Sequence, residues 1–164
     1  MEIYNKLVTL LSTHGISFQE YQHPPEGRTD VISKIRGNRI DQAAKAMVLK
    51  LQYSEKTSYA LAVVTGDCKI NLKAVAKYLG AKKASFSSPD VAEFLTGCKS
   101  GAVPPFALKE DIQLLVDDRV CNVGKLFFNA GVLDKSLSIS VSDYFSLIGD
   151  IDKLNISIQQ ESDY

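Results

Sequence analysis

Residues 45–53 read Lys45-Ala46-Met47-Val48-Leu49-Lys50-Leu51-Gln52-Tyr53. A polar break, Ser54-Glu55-Lys56-Thr57-Ser58, separates them from a second apolar run over residues 59–65. Two short apolar runs divided in this way read as neighbouring strands, with a hairpin as the simplest connection. Side chains alternate between faces along a strand, so Lys45 shares a face with Met47, Leu49 and Leu51, whereas Lys50 lies with Gln52. An ammonium at the mouth of an apolar face has three outlets. It snorkels to water, pairs with a carboxylate, or meets an anionic or carbonyl ligand.

On either side of this pair the pattern changes. Ile3, Leu7, Leu10 and Leu11 fall at helical spacing, with Gly15 after the last turn. Residues 16–22 read as extended and are broken by His23-Pro24-Pro25-Glu26-Gly27. Thr29 is placed to cap a short helix that stops at Gly37. Asn71 is expected to cap a helix closed by Gly80, and Ser88-Pro89-Asp90 to start one that ends at Gly97. Strands are expected near 112–117, 126–129 and 136–141, then a last helix capped by Ser142. In the polar tail 150–164, Leu154, Ile156 and Ile158 alternate, as an edge strand or as loose chain. Helices and strands are interspersed without a regular βαβ beat. The fold class is therefore α+β: a single domain over residues 1–149 with a mixed, mostly antiparallel β-sheet flanked by helices.

A chain of 164 residues suggests one domain that needs no disulfide or metal staple. Its 45% apolar and 23% charged residues argue against disorder. No run of about 18 apolar residues exists to form a membrane helix. The N-terminal stretch lacks a basic region and a small-residue cleavage site, so it does not read as a signal peptide. Three widely spaced cysteines, Cys68, Cys98 and Cys121, fit a reducing cytoplasm and exclude a CxxC knuckle. Net charge is zero but unevenly spread: residues 1–100 hold fourteen basic and nine acidic side chains, residues 101–164 five and ten. One dense basic stretch is Lys34, Arg36, Arg39, Lys45 and Lys50, opposed by Asp41 alone. It is either a solvated face or a patch for a polyanion.

The phosphate-binding P-loop, GxGxxG and HExxH patterns are absent. His14 and His23 are the two histidines, so a histidine metal site would need distant carboxylates; no metal and no cofactor are expected. Cys98 adjoins a Gly- and Pro-containing loop, but nothing in the sequence puts a base beside it. That loop, residues 97–107, carries Gly101 and the stiffening pair Pro104-Pro105. Such a loop holds backbone N–H groups at a fixed point, suited to an ester carbonyl or its oxyanion, or simply connects two elements. Asn129, after Phe127-Phe128, fixes a turn or binds a polar group of a substrate.

Together these residues resemble the YbaK/prolyl-tRNA-synthetase-associated family of aminoacyl-tRNA editing domains. The resemblance rests on Gln42-Ala43-Ala44-Lys45-Ala46-Met47-Val48, Leu95-Thr96-Gly97-Cys98, Gly101-Ala102-Val103-Pro104-Pro105-Phe106, Val116-Asp117, and Phe128-Asn129-Ala130-Gly131 with Asp134-Lys135-Ser136. It runs in order over roughly residues 3–149 and looks most like the freestanding YeaK-type members, on Ile35-Arg36-Gly37 and the Asn-Ala-Gly turn. The family's characteristic lysine corresponds to Lys45, and its Gly-x-x-x-Pro-x-Gly loop to Gly101, Pro105 and Ala107. Alanine at 107 departs from the glycine of many members and would be strained at positive φ.

The resemblance implies hydrolysis, in trans, of a small amino acid (Ser, Thr, Ala or Cys) wrongly attached to a tRNA 3′ end. Water attacks the ester directly. Lys45, Gly101 and Asn129 are the expected catalytic residues: Lys45 anchors the terminal adenosine, the Gly101–Val103 backbone holds the carbonyl oxygen, and Asn129 or a ribose hydroxyl orders the water. Met47, Ala102, Val103, Pro105 and Phe106 are expected to contact substrate, with Leu49 beside them. Lys34, Arg36 and Arg39 are expected on the acceptor-stem backbone. The aminoacyl-tRNA acceptor end is the implied partner, together with an aminoacyl-tRNA synthetase, and no membrane is involved. Two rivals are a non-catalytic tRNA- or nucleotide-binding module using the same pocket, and a Cys98-dependent enzyme.

Overall fold

The computed structural model describes residues 1–160. In chain order the elements are α1 (Glu2–Thr13), β1 (Gln19–Gln22), α2 (Thr29–Arg36), β2 (Ala44–Gln52), β3 (Thr57–Thr65), β4 (Cys68–Ile70), α3 (Leu72–Leu79), β5 (Lys83–Phe86), α4 (Pro89–Thr96), β6 (Gln113–Asp117), β7 (Lys125–Asn129), β8 (Lys135–Ser140), α5 (Val141–Ile148), β9 (Lys153–Leu154) and β10 (Ser157–Gln159). This is an α+β domain. The apolar runs at 45–53 and 59–65 form an antiparallel hairpin in which Lys45 pairs with Val64 and Leu49 with Ala60. The strands form a five-stranded sheet, β5-β2-β3-β6-β9, a three-stranded antiparallel sheet, β1-β8-β7, and the pair β10-β4. Within the large sheet the pairings of β6 are parallel and the others antiparallel.

Alternation along the hairpin divides the core. Leu49, Leu51, Ala60, Ala62 and Val64 meet Val75 of α3 on one face, with Met47 and Tyr53 packed alongside. Val63 and Val116 point to the other face, against Leu7 and Leu11 of α1, Phe128 of β7 and Tyr144 of α5. Lys45 thus stands at the end of the apolar row that its parity assigned to it. No helix among the described residues is long and apolar enough to cross a membrane.

Asn71 and Ser88 cap α3 and α4 as expected, each accepting from the N–H three residues on. Two expected caps are corrected. Arg28, not Thr29, is the cap residue of α2, so Thr29 occupies the first helical position. Ser140, not Ser142, caps α5, accepting from Asp143 N–H at 3.0 Å. The strand before α5 therefore ends at its own capping serine, and the helix starts two residues earlier than the sequence suggested. The tail is drawn into the fold. Asp117, fully buried, accepts from Ile156 N–H at 2.9 Å and Ser157 Oγ at 2.8 Å, and β9 and β10 each find a partner strand. The last four residues of the expected tail, 161–164, lie outside the described residues.

Candidate active site

A cavity of about 690 Å³ opens where the start of β2, the turn after β3, the end of β5, the segment entering α2 and the loop 97–107 converge. Lys45, Met47, Gly101, Val103, Asn129 and Arg36 all line it, so six positions singled out in the sequence meet at one place. Lys45 is half-buried and has no ion pair among the described residues. Burial pushes its pKa below the ordinary lysine value, opposed in part by Cys68, Asp67 and Asp30. Thr29 and Asp30 bring the N-terminal end of α2 to the same wall, where the Asp30 carboxylate offsets the positive end of the helix dipole.

Two backbone segments cross at the cavity. Gly101 has φ +85, and a Cβ there would stand 2.5 Å from Gly27 Cα. Only glycine permits that approach in that conformation. Asn129 ties the crossing together. Its Nδ2 donates to Glu26 O and to Gly101 O, both at 2.9 Å. With both amide hydrogens given away, Oδ1 accepts, and Ser136 Oγ donates to it at 2.8 Å. Arg36 Nη1 donates to the Ser136 oxygen at 3.1 Å, and His23 Nε2 lies 2.8 Å from it, while His23 Nδ1 faces Pro24 O at 3.0 Å. Asn129 acts on the cavity by holding the two loops. Its amide hydrogens are committed to the two loops, so a water meeting Asn129 would have to donate to the second lone pair of Oδ1.

The loop differs from expectation in other details. Ala102 N–H donates to Lys99 O at 2.9 Å, so it does not serve as an oxyanion donor. Gly101 and Val103 line the cavity, and neither N–H has an acceptor among the described residues. The side chains of Ala102, Pro105 and Phe106 do not line the cavity. Ala102 packs with Ile3 and Cys98, Pro105 O accepts from Tyr144 Oη at 2.8 Å, and Phe106 lies edge-on to Phe128 and Tyr144. Pro104 and Pro105 are buried, and the Phe106 ring is packed in the core beside them. Leu49 is likewise in the core rather than on the wall. Ala107 carries no strain, since no non-glycine residue described has positive φ.

Of the expected backbone-binding cations, Lys34 is exposed and off the cavity. Arg39 is exposed and pairs with Asp41 at 3.0 Å. Arg36 is turned inward: it donates to Asn38 Oδ1 at 2.9 Å and Ser136 Oγ, and lies over the Phe127 ring at 5.9 Å. Burial pushes its guanidinium down to about 10, still charged at neutral pH. Cys98 lines the cavity, but burial pushes its thiol up to about 11, so it is protonated and a poor nucleophile. Among the described residues no group of three or more His, Cys, Asp or Glu side chains is placed to hold a metal ion.

Sequence reasoning missed Gly27, the Ser136 relay and the part played by His23. A signal existed for Ser136: it stands opposite Asn129 in the β7–β8 register, on a face otherwise buried. Gly27 offered no signal beyond its place in a Pro-Pro break, because its role depends on a contact with Gly101 far along the chain.

A family model described as "Aminoacyl-tRNA editing domain" matches residues 23–147. The multifunctional Ser/Thr-tRNA deacylase ProXp-y of Escherichia coli (strain K12) is 34% identical over 145 residues, covering 88% of this chain and 87% of that protein. A proline–tRNA ligase of Limosilactobacillus fermentum is 26% identical over 98 residues, which are 59% of this chain and 17% of the ligase. The crystal structure of a hypothetical protein superposes at TM-score 0.82 with 19% identity, covering 93% of this chain and 99% of that one, and shows the same fold. A match over most of the chain and a relative of nearly equal length agree with the lysine and glycine loop gathered in one cavity: this chain belongs to the aminoacyl-tRNA editing domain family.

Proposed function

We propose that this protein is a trans-editing hydrolase that removes a small, wrongly attached amino acid from the 3′ end of a tRNA. The observation that carries this reading is the meeting of Lys45 with Gly101 and Val103 in one cavity. The family membership supports it, as does the relative that deacylates Ser- and Thr-tRNA. Serine and threonine are therefore the first amino acids to test, with alanine and cysteine next.

Water adds to the ester carbonyl. The carbonyl oxygen gains charge and is met by the Gly101 and Val103 N–H groups. The bond to the ribose oxygen then breaks, that oxygen takes a proton, and free amino acid and tRNA depart. A single donor to such an oxyanion is worth about 2.7–4 kcal/mol of transition-state stabilisation. Lys45 holds the terminal phosphate or the oxygens beside it, and so fixes the ester next to the loop. Met47 and Val103 bound the space for the amino-acid side chain. Each methylene that fits or fails to fit there is worth only about 1–3 kcal/mol, so discrimination among small side chains is moderate. The link to a prolyl-tRNA synthetase, suggested by the matching segment of a proline–tRNA ligase, is part of the same proposal.

The test is a panel of tRNAs charged with Ser, Thr, Ala, Cys and the cognate amino acid, with wild type and Lys45→Ala. Release of the small amino acids by wild type, and its loss in Lys45→Ala, is expected. Deacylation unchanged by Lys45→Ala removes Lys45 from the site. Tight tRNA binding without turnover favours the binding-module reading.

A further inference from the structure

From Cys68 to Pro89 the chain holds five lysines, Lys69, Lys73, Lys77, Lys82 and Lys83, and no acidic residue. All five are exposed, and none forms an ion pair among the described residues. Lys73 and Lys77 are one turn apart on the outer side of α3, about 6 Å along its axis, while Leu72, Val75, Ala76 and Leu79 face the core. Lys73 stands in the first turn, where the helix dipole disfavours a cation, so local helix energetics does not account for it. Asp152, which reaches α3, is engaged by Tyr78 Oη at 2.6 Å.

This stretch also begins and ends at the cavity. Gly66, two residues before it, and Phe86, Ser87 and Pro89, at its far end, line the opening. From Lys83 the edge strand β5 covers about 10 Å to Phe86, a cavity-lining residue that is 49% exposed. By contrast, two of the basic side chains that the sequence first suggested are engaged elsewhere: Arg36 with Ser136 and Asn38, Arg39 with Asp41.

We propose that the lysine face of α3 and β5 is the docking surface for the phosphate backbone of the tRNA acceptor stem, whose 3′ end then turns past Phe86 into the cavity. The proposal rests on the deacylase reading and names where its substrate lies. Exposed, unpaired lysines on neighbouring elements suit an RNA backbone, which is read by charge and shape. An acidic protein partner is the competing occupant.

The experiment compares wild type, K73E/K77E, K82E/K83E and K34E/R39E. The substrates are full-length seryl-tRNA and the seryl ester of the trinucleotide CCA, with uncharged tRNA for binding. For both lysine-face variants, KM on seryl-tRNA is expected to rise roughly tenfold at moderate salt, and the salt slope to fall by about 0.9 for each phosphate no longer neutralised. Rates on seryl-CCA stay at the wild-type value, which separates docking from damage to the cavity. The proposal is overturned if both substrates suffer equally, if tRNA affinity is unchanged, or if K34E/R39E has the larger effect. An acidic-partner face gives the second of these results. Should wild type hydrolyse neither the seryl esters nor the Thr, Ala and Cys esters of the panel above, the deacylase reading fails by itself, and the uncharged-tRNA affinities of the same variants still decide the docking surface.

Discussion

At Lys45, burial works against the charge that the site needs. The ammonium sits half-buried on an apolar strand face, and its pKa is lowered chiefly by desolvation. Folding therefore disfavours the charged form. That penalty is present in full below the lowered pKa and disappears as pH rises to the ordinary value of 10.5. Lys45→Met is accordingly expected to melt no lower than wild type near neutral pH, with any advantage gone by pH 10.5, while deacylation falls about 10²-fold. Melting curves at the two pH values, set beside activity, check both halves. Binding of a non-hydrolysable aminoacyl-adenosine 5′-phosphate by wild type is expected to weaken as pH climbs through the lowered value, and that loss to be absent in the methionine variant. Ser136 is the other residue with a sharp expectation. Its removal leaves Asn129 Oδ1 without a donor, and takes an acceptor from Arg36 and a hydrogen-bond partner from His23. Ser136→Ala is expected to cost about 1–3 kcal/mol in urea unfolding and to lower kcat more than it raises KM.

Among the elements, the glycine crossing and the pinned C-terminal strands carry the clearest consequences. Gly101→Ala puts a side chain into a left-handed conformation, worth about 1–2 kcal/mol by itself, and drives a Cβ to 2.5 Å from the Gly27 backbone. More than about 2 kcal/mol of stability should go, and the loop should shift away from the cavity, so activity falls even in preparations that remain folded. Denaturation midpoints and initial rates measured together reveal both effects. Asp117 is a longer-range device, since one buried carboxylate accepts from the chain 39 and 40 residues later. Asp117→Ala is expected to release β9 and β10 ahead of the rest, seen as faster amide exchange at Ile156 than at Val63. The sequence marked the elements themselves well. Alternation in β2 and the glycines after α2, α3 and α4 are local signals of conformation. It misjudged Thr29 and Ser142, where a capping residue type occurs one or two places from the true cap and the register of the neighbouring strand chooses between candidates.

For the molecule as a whole, both faces of the large sheet are buried by one chain, so the domain should unfold as a unit. Cys68 and Cys98 are buried and Cys121 is half-buried. Native protein is expected to lose at most one thiol to a labelling reagent, with the other two appearing together as the circular dichroism signal is lost. Zero net charge conceals a lysine face beside the cavity, and only the folded chain shows which basic residues remain free for a partner. The α+β class, the hairpin, the parity that sends Lys45 inward and the family resemblance were all legible in the linear chain, because each is built from short local patterns and their order along it. Folding had to settle that Asn129 is a staple, that Gly27 must meet Gly101, that Arg36 is occupied and that Ala102, Pro105 and Phe106 belong to the core. Each of those outcomes depends on which distant groups compete for the same hydrogen bond or the same volume, and that competition exists only once the chain has folded.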